Sequence, residues 1–106
     1  MREVAAITGG ASGLGKGFVK QFTADGYDVI FCDVDGKLGQ AVADEFPNVT
    51  FIKTDVTQPD EVEAFFNRIK ADYGRLDVLI NNAGVIRGGD ADNCRMINFN
   101  WSQMST

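Results

Sequence analysis

Apolar residues come in short runs and periodic stripes along the chain, and the two alternate. Val4 to Thr8 is an apolar run that ends in glycines, which predicts a buried strand. After Gly13 the period changes: Leu14, Phe18 and Phe22 recur every four residues, the face of a helix that Asp25-Gly26 stops. Val29 to Cys32 is a second apolar run ending at Asp33, and a short helix over 37–45 follows, with Leu38, Ala41 and Val42 facing inward. Pro47 and Asn48 punctuate before a third strand over 49–52. The next helix has Thr57 as its expected N-cap, Pro59 in the first turn, and Asp60 and Glu61 complementing the helix dipole. Val62, Phe65, Phe66, Ile69 and Tyr73 form its apolar stripe, and Gly74 ends it. Val78 to Ile80 is a fourth strand; a glycine-rich connection follows, and a helix is expected from Asp90 onward. Strands alternating with helices imply a parallel sheet with helical crossovers, the α/β class.

Composition narrows the function. With 106 residues the chain amounts to one domain, and a 44% hydrophobic fraction is enough for a core. Ten basic against 15 acidic residues give a formal charge of −5, which argues against a nucleic-acid binder. A dinucleotide is still possible, because backbone N–H groups can hold phosphates without Lys or Arg. The chain has no histidine, which largely removes zinc sites and His-based catalysis, and no metal is expected. Of the two cysteines, Cys32 sits in an apolar run and reads as a buried free thiol; Cys94 is the other. MREVAAITGG lacks the apolar stretch of a signal peptide and no run approaches membrane-spanning length, so a soluble cytoplasmic protein is expected.

Four segments carry candidate chemistry. TGGASGLG, from Thr8 to Gly15, joins the first strand to the first helix with Gly9, Gly13 and Gly15 at its key positions. Glycines there allow a tight turn and close approach of a pyrophosphate to amide groups, and the helix dipole favours the anion. The spacing differs from G-x-G-x-x-G, and a glycine-rich turn without a ligand is the plain alternative. Asp33 ends the second strand, 20 residues after Gly13, where a carboxylate can accept hydrogen bonds from ribose hydroxyls and repel a 2′-phosphate. NAD is therefore favoured over NADP, with Lys37 as a possible offset. Asp55-Val56 follows the third strand, and NNAG, from Asn81 to Gly84, the fourth. Taken singly, Asp55 reads as a turn residue and the two asparagines as inter-strand ties. In a doubly wound sheet, however, all four segments meet at the carboxyl edge of the strands, where ligands bind.

This ordered set resembles the short-chain dehydrogenase/reductase family over nearly the whole chain. The resemblance implies a Rossmann-like doubly wound sheet, here about four strands in the order 3-2-1-4. It also implies hydride transfer between a nicotinamide cofactor and an alcohol or carbonyl substrate. On that resemblance Gly9, Ser12, Gly13, Leu14 and Gly15 hold the pyrophosphate and Asp33, with Val34 beside it, the ribose. Asp55 and Val56 flank the adenine, while Asn82, Ala83 and Gly84 line the crevice. RMINFN aligns with the family helix carrying a catalytic asparagine, which falls on Asn100, with Asn98 the neighbouring candidate. Gly84 to Asn100 spans only 16 residues, shorter than in most members.

The family's chemistry also needs a Tyr-x-x-x-Lys pair and a serine. Four residues after Tyr27 stands Phe31 and four after Tyr73 stands Asp77, while Ser102 and Ser105 do not match the family serine. The expectation is a cofactor-binding portion truncated before its acid/base segment, with the fourth strand as an open edge and a homo-oligomer as the result. The alternatives are a non-catalytic nucleotide-binding module completed by a partner chain, or a remnant without function.

Overall fold

A computed structural model describes residues 2–11 and 13–82 in full and 95–98 as backbone. The order is β1 (Val4–Thr8), α1 (Gly13–Ala24), β2 (Asp28–Asp33), α2 (Gly36–Glu45), β3 (Val49–Lys53), α3 (Pro59–Tyr73), β4 (Val78–Asn81) and β5 (Arg95–Asn98). All pairings are parallel, in the spatial order β3-β2-β1-β4-β5. The expected 3-2-1-4 core is therefore present, with one strand added.

Alternation along the strands splits the core into two layers. Ala5, Ile7, Val29, Phe31, Val78 and Ile80 face one way and pack with Val19 and Val42, with Phe18, Phe22 and Phe46 beside them. Val4, Ala6, Ile30, Cys32 and Leu79 face the other way, onto Val62, Phe65, Phe66 and Ile69 of α3. Apolar faces on both sides are what a parallel sheet needs, and they explain why the strand sequences read as continuous runs. The stripe predicted for α3 is the stripe buried, and Gly74 closes the helix at φ 72°, donating its N–H to the Lys70 carbonyl. Truncating Phe65 or Phe66 to alanine in such a core costs roughly 3–5 kcal/mol.

Three local expectations are corrected. The helix predicted from Asp90 is a strand at 95–98, because the outer amide and carbonyl groups of β4 need partners and β5 supplies them. Among the described residues the outer strand is thus β5, not β4. In α2, Leu38 and Ala41 face outward, and the inner face is Gly39, Val42 and the half-buried Ala43. Gly39 sets that rotation: a Cβ there would lie 2.2 Å from the Phe51 ring, so the helix backbone rests directly on β3. The N-cap of α3 is Gln58, without a side-chain cap bond; the Thr57 hydroxyl is taken by Asp55 Oδ1 at 2.6 Å.

The amino ends of the strands are also tied. Asp77 accepts the Val4 N–H at Oδ2 (2.8 Å) and donates its own N–H to the Val4 carbonyl (2.9 Å). Arg75 grips both oxygens of the same carboxylate at 2.9 and 2.8 Å, which raises the guanidinium pKa.

Candidate functional site

The carboxyl ends of β1 to β4 lie side by side, so the segments that follow them share one edge. The β1–α1 loop turns back at once: Gly9, at φ 70°, donates its N–H to the Cys32 carbonyl at 2.8 Å, and the Gly10 N–H reaches the same oxygen at 3.2 Å. The loop thereby lies over the end of β2. The Ala11 N–H then donates to Asp33 Oδ2 at 3.1 Å, while Asp33 Oδ1 accepts the Asp35 N–H at 3.1 Å. Each carboxylate oxygen keeps acceptor capacity for a further donor.

α1 starts at Gly13, φ 58°, and its first turn carries no acidic residue. The amide groups of that turn have no intrahelical partner, so the helix end presents donors and partial positive charge. Gly15 brings it close to the loop: a Cβ there would stand 1.8 Å from the Gly9 oxygen and 2.9 Å from Asn82 Nδ2.

A buried polar cluster joins β1 to β4 beneath this turn. The Thr8 hydroxyl donates to Asn81 Oδ1 at 3.1 Å and accepts the Asn82 N–H at 2.9 Å. Asn82 Nδ2 donates to the Gly9 carbonyl at 3.2 Å, but its buried Oδ1 has no hydrogen-bond partner among the described residues. An unpaired buried acceptor beside a glycine turn is a place where a ligand or a water completes the bonding.

Between the ends of β2 and β3 opens a cavity of about 260 Å³, lined by Gly9, Cys32, Asp33, Val34, Thr54, Asp55, Val56 and Thr57. Ligand pockets run from roughly 300 to 1,000 Å³, so this one suits part of a larger ligand. Val34 is 60% exposed at its rim, while Val56 packs against the α3 layer and forms its inner wall. Hydrogen bonds from the Thr57 hydroxyl and N–H hold the Asp55 carboxyl below its usual pKa. Burial pushes the Cys32 thiol up from 9.0 to about 12; the Gly9 N–H opposes that and the Asp33 charge adds to it. The thiol is therefore protonated at pH 8, and Cys32 in a Cys94→Ala background is expected to resist a thiol-specific chromogen until the chain unfolds. Rapid labelling of the folded protein would contradict that burial.

The structure thus gathers Gly9, Gly15, Asp33, Val34, Asp55, Val56 and Asn82, with Gly13 and Leu14 opening α1. Ser12, Ala83, Gly84 and Asn100 lie outside the described residues, and Asn98 stands on β5 in register with Asn81. Reading the sequence alone gave no site role to Thr8, Gly10, Thr54 or Thr57; a threonine closing β1 and another just after β3 were the available signal for Thr8 and Thr54. Among the described residues no group of His, Cys, Asp and Glu could hold a metal, and no helix is long and apolar enough to cross a membrane.

A turn offering amide donors, next to an acid one strand over and a cavity beyond it, is what a dinucleotide-binding fold presents. The family model described as short chain dehydrogenase matches residues 3–104, and the chain belongs to that family of oxidoreductases, which use nicotinamide dinucleotides. The chain is 39% identical over 82 residues to L-fucose dehydrogenase of Bos taurus (77% of this chain, 30% of the relative). Tropinone reductase-like 2 of Erythroxylum coca is 42% identical over 87 residues, covering 81% and 32%. The solved menthone neomenthol reductase from Mentha piperita superposes with a TM-score of 0.74 at 31% identity, over 80% of this chain and 32% of that one. The chain thus spans about a third of the length of the curated relatives it matches.

Proposed function

We propose that this chain is the cofactor-binding portion of an NAD-dependent short-chain oxidoreductase that interconverts an alcohol and a carbonyl compound. The observation that carries the reading is Asp33: its carboxylate borders the cavity and is tethered through Ala11 to the glycine turn. Gly9, Ser12, Gly13, Leu14 and Gly15 hold the pyrophosphate, Asp33 and Val34 the adenosine ribose, and Asp55 and Val56 the adenine. Asn82, Ala83 and Gly84 line the crevice, and Asn100 serves the proton relay. The residues fit the group: the missing Cβ of Gly15 lets the donor end of α1 close onto the Gly9 turn, and the buried Asn82 Oδ1 lacks a partner among the described residues. When bound, the nicotinamide supplies the hydride acceptor or donor; these residues bind and orient it. Asp33 favours NAD over NADP because a carboxylate there opposes a 2′-phosphate.

Neither tyrosine stands at this edge. Tyr73 shares a hydrogen bond with Thr50 near the start of β3 (3.0 Å), and Tyr27, just before β2, packs edge-on against Phe22 at 4.9 Å. The acid/base group is accordingly assigned to residues beyond these 106, on a continuing or a partner chain. The same placement favours a second reading, a non-catalytic nucleotide-binding module completed by a partner. Our reading includes a cytoplasmic setting, in keeping with the free thiol of Cys32. It also includes a homo-oligomer, since the outer edge of β5 has no paired strand among the described residues.

Calorimetry with NADH tests the assignment and is expected to give saturable binding, with negligible reduction of NAD across simple alcohols by the 106 residues alone. Sedimentation at tens of micromolar is expected to show a dimer or larger. Absence of binding overturns the function, robust turnover overturns the missing acid/base, and a folded monomer overturns the assembly.

A further inference from the structure

Glu61 does more than complement the dipole of α3. It stands at the third helical position, since Gln58 is the N-cap and Pro59 the first residue of the helix. A glutamate there ordinarily folds back onto the N–H of the N-cap residue and closes its own helix. That partner is taken: the Gln58 N–H donates to the Asp55 carbonyl at 3.0 Å. Glu61 Oε1 reaches three residues further back and accepts the Asp55 N–H at 2.9 Å. The bond therefore joins α3 to the segment leaving β3.

That segment is one wall of the cavity between β2 and β3. Its start is fixed, because the buried Thr54 donates its N–H to the Asp33 carbonyl at 3.0 Å. The bonds that follow are local to the turn: the Thr57 N–H and hydroxyl both donate to Asp55 Oδ1, and Gln58 to the Asp55 carbonyl. Local bonds keep the shape of the turn, while Glu61 ties it to the body of α3. Two polar groups are left over, since Asp55 Oδ2 and the Val56 N–H make no hydrogen bond among the described residues.

We infer that Glu61 is a positioning residue for the base end of the cofactor. By holding the Asp55 N–H it fixes the free Asp55 oxygen and the Val56 amide relative to the cavity. This rests on the reading of Asp55 and Val56 as the adenine contacts; Glu61 itself touches no ligand and acts through the Asp55 backbone. An acceptor and a donor in consecutive residues match adenine, whose edge pairs an amino group with a ring nitrogen acceptor. Hypoxanthine presents the reverse, a carbonyl beside an N–H.

ADP and inosine diphosphate are the probes, with affinities read by calorimetry. They carry the same charge, so the ratio of their affinities cancels any general effect of removing a carboxylate. The unmodified chain is expected to prefer ADP by about tenfold, and Glu61→Ala to cut that preference to about twofold, the size of one hydrogen bond's net contribution. Glu61→Gln is expected to keep the preference, because its amide oxygen accepts the same N–H without the charge. Asp60→Ala removes a neighbouring acid of the same helix turn and should leave the ratio unchanged. If Glu61→Ala weakens both ligands equally, or Glu61→Gln or Asp60→Ala loses as much preference as Glu61→Ala, the positioning role is overturned while the cofactor reading stands. If neither diphosphate binds the unmodified chain, the cofactor reading fails and this inference with it.

Discussion

Gly15→Ala is expected to weaken NAD binding at least about a hundredfold and to destabilise the fold by about 3 kcal/mol. The added methyl carbon would stand 1.8 Å from the Gly9 oxygen, 2.7 Å from the Gly9 carbonyl carbon and 2.9 Å from Asn82 Nδ2. The first two are backbone atoms and cannot swing aside, so α1 must back away from the turn. That carries its amide donors off the position assigned to the phosphate. Gly17→Ala supplies the control: on the exposed side of the same helix a Cβ meets nothing within 4 Å. It should stabilise by about 0.8 kcal/mol through helix propensity. Urea unfolding and calorimetry on both variants check the pair, and a Gly15→Ala protein with native stability and affinity would remove the close-packing argument.

The second large effect belongs to Asp33→Ala. It removes the acceptor assigned to the ribose hydroxyls and releases the Ala11 N–H from its anchor. Hydrogen bonds to a charged acceptor are worth roughly 1.5–3 kcal/mol each, so NAD affinity should fall by thirtyfold or more. Asp35→Ala separates this from a general loss of negative charge. It deletes only the α2 cap on Leu38, which should cost about 1 kcal/mol of stability and leave affinity within about twofold. Equal losses of binding in the two variants would refute the ribose assignment.

Much of the frame was legible because its signals are local. The β1 to β4 runs are apolar on both faces, α3 carries an unbroken stripe from Val62 to Tyr73, and Gly74 stops it, so burial and periodicity agree. Asp33 was legible from its distance to the glycine turn. What escaped depends on distant partners. Arg95 to Asn98 is four residues with no periodicity of its own, and pairing with β4 makes it a strand. Leu38 and Ala41 follow a helical spacing, but the contact of Gly39 with Phe51 decides which way α2 turns. Thr57 has the chemistry of a cap, yet Asp55 claims its hydroxyl. Thr8 reads as an ordinary strand residue, because the asparagine it meets is 73 positions away.

The clasp of Asp77 on Val4 has a consequence for the opposite end of the molecule. Parallel neighbours share no hairpin, so nothing local prevents one strand from sliding along the other. Asp77 grips both polar groups of the first residue of β1 and thereby sets the zero from which its alignment with β4 is counted. A slip of one position would turn every side chain to the wrong layer and part Thr8 from Asn81. The glycine turn thus inherits its alignment from an anchor roughly 13 Å below it, four strand steps away.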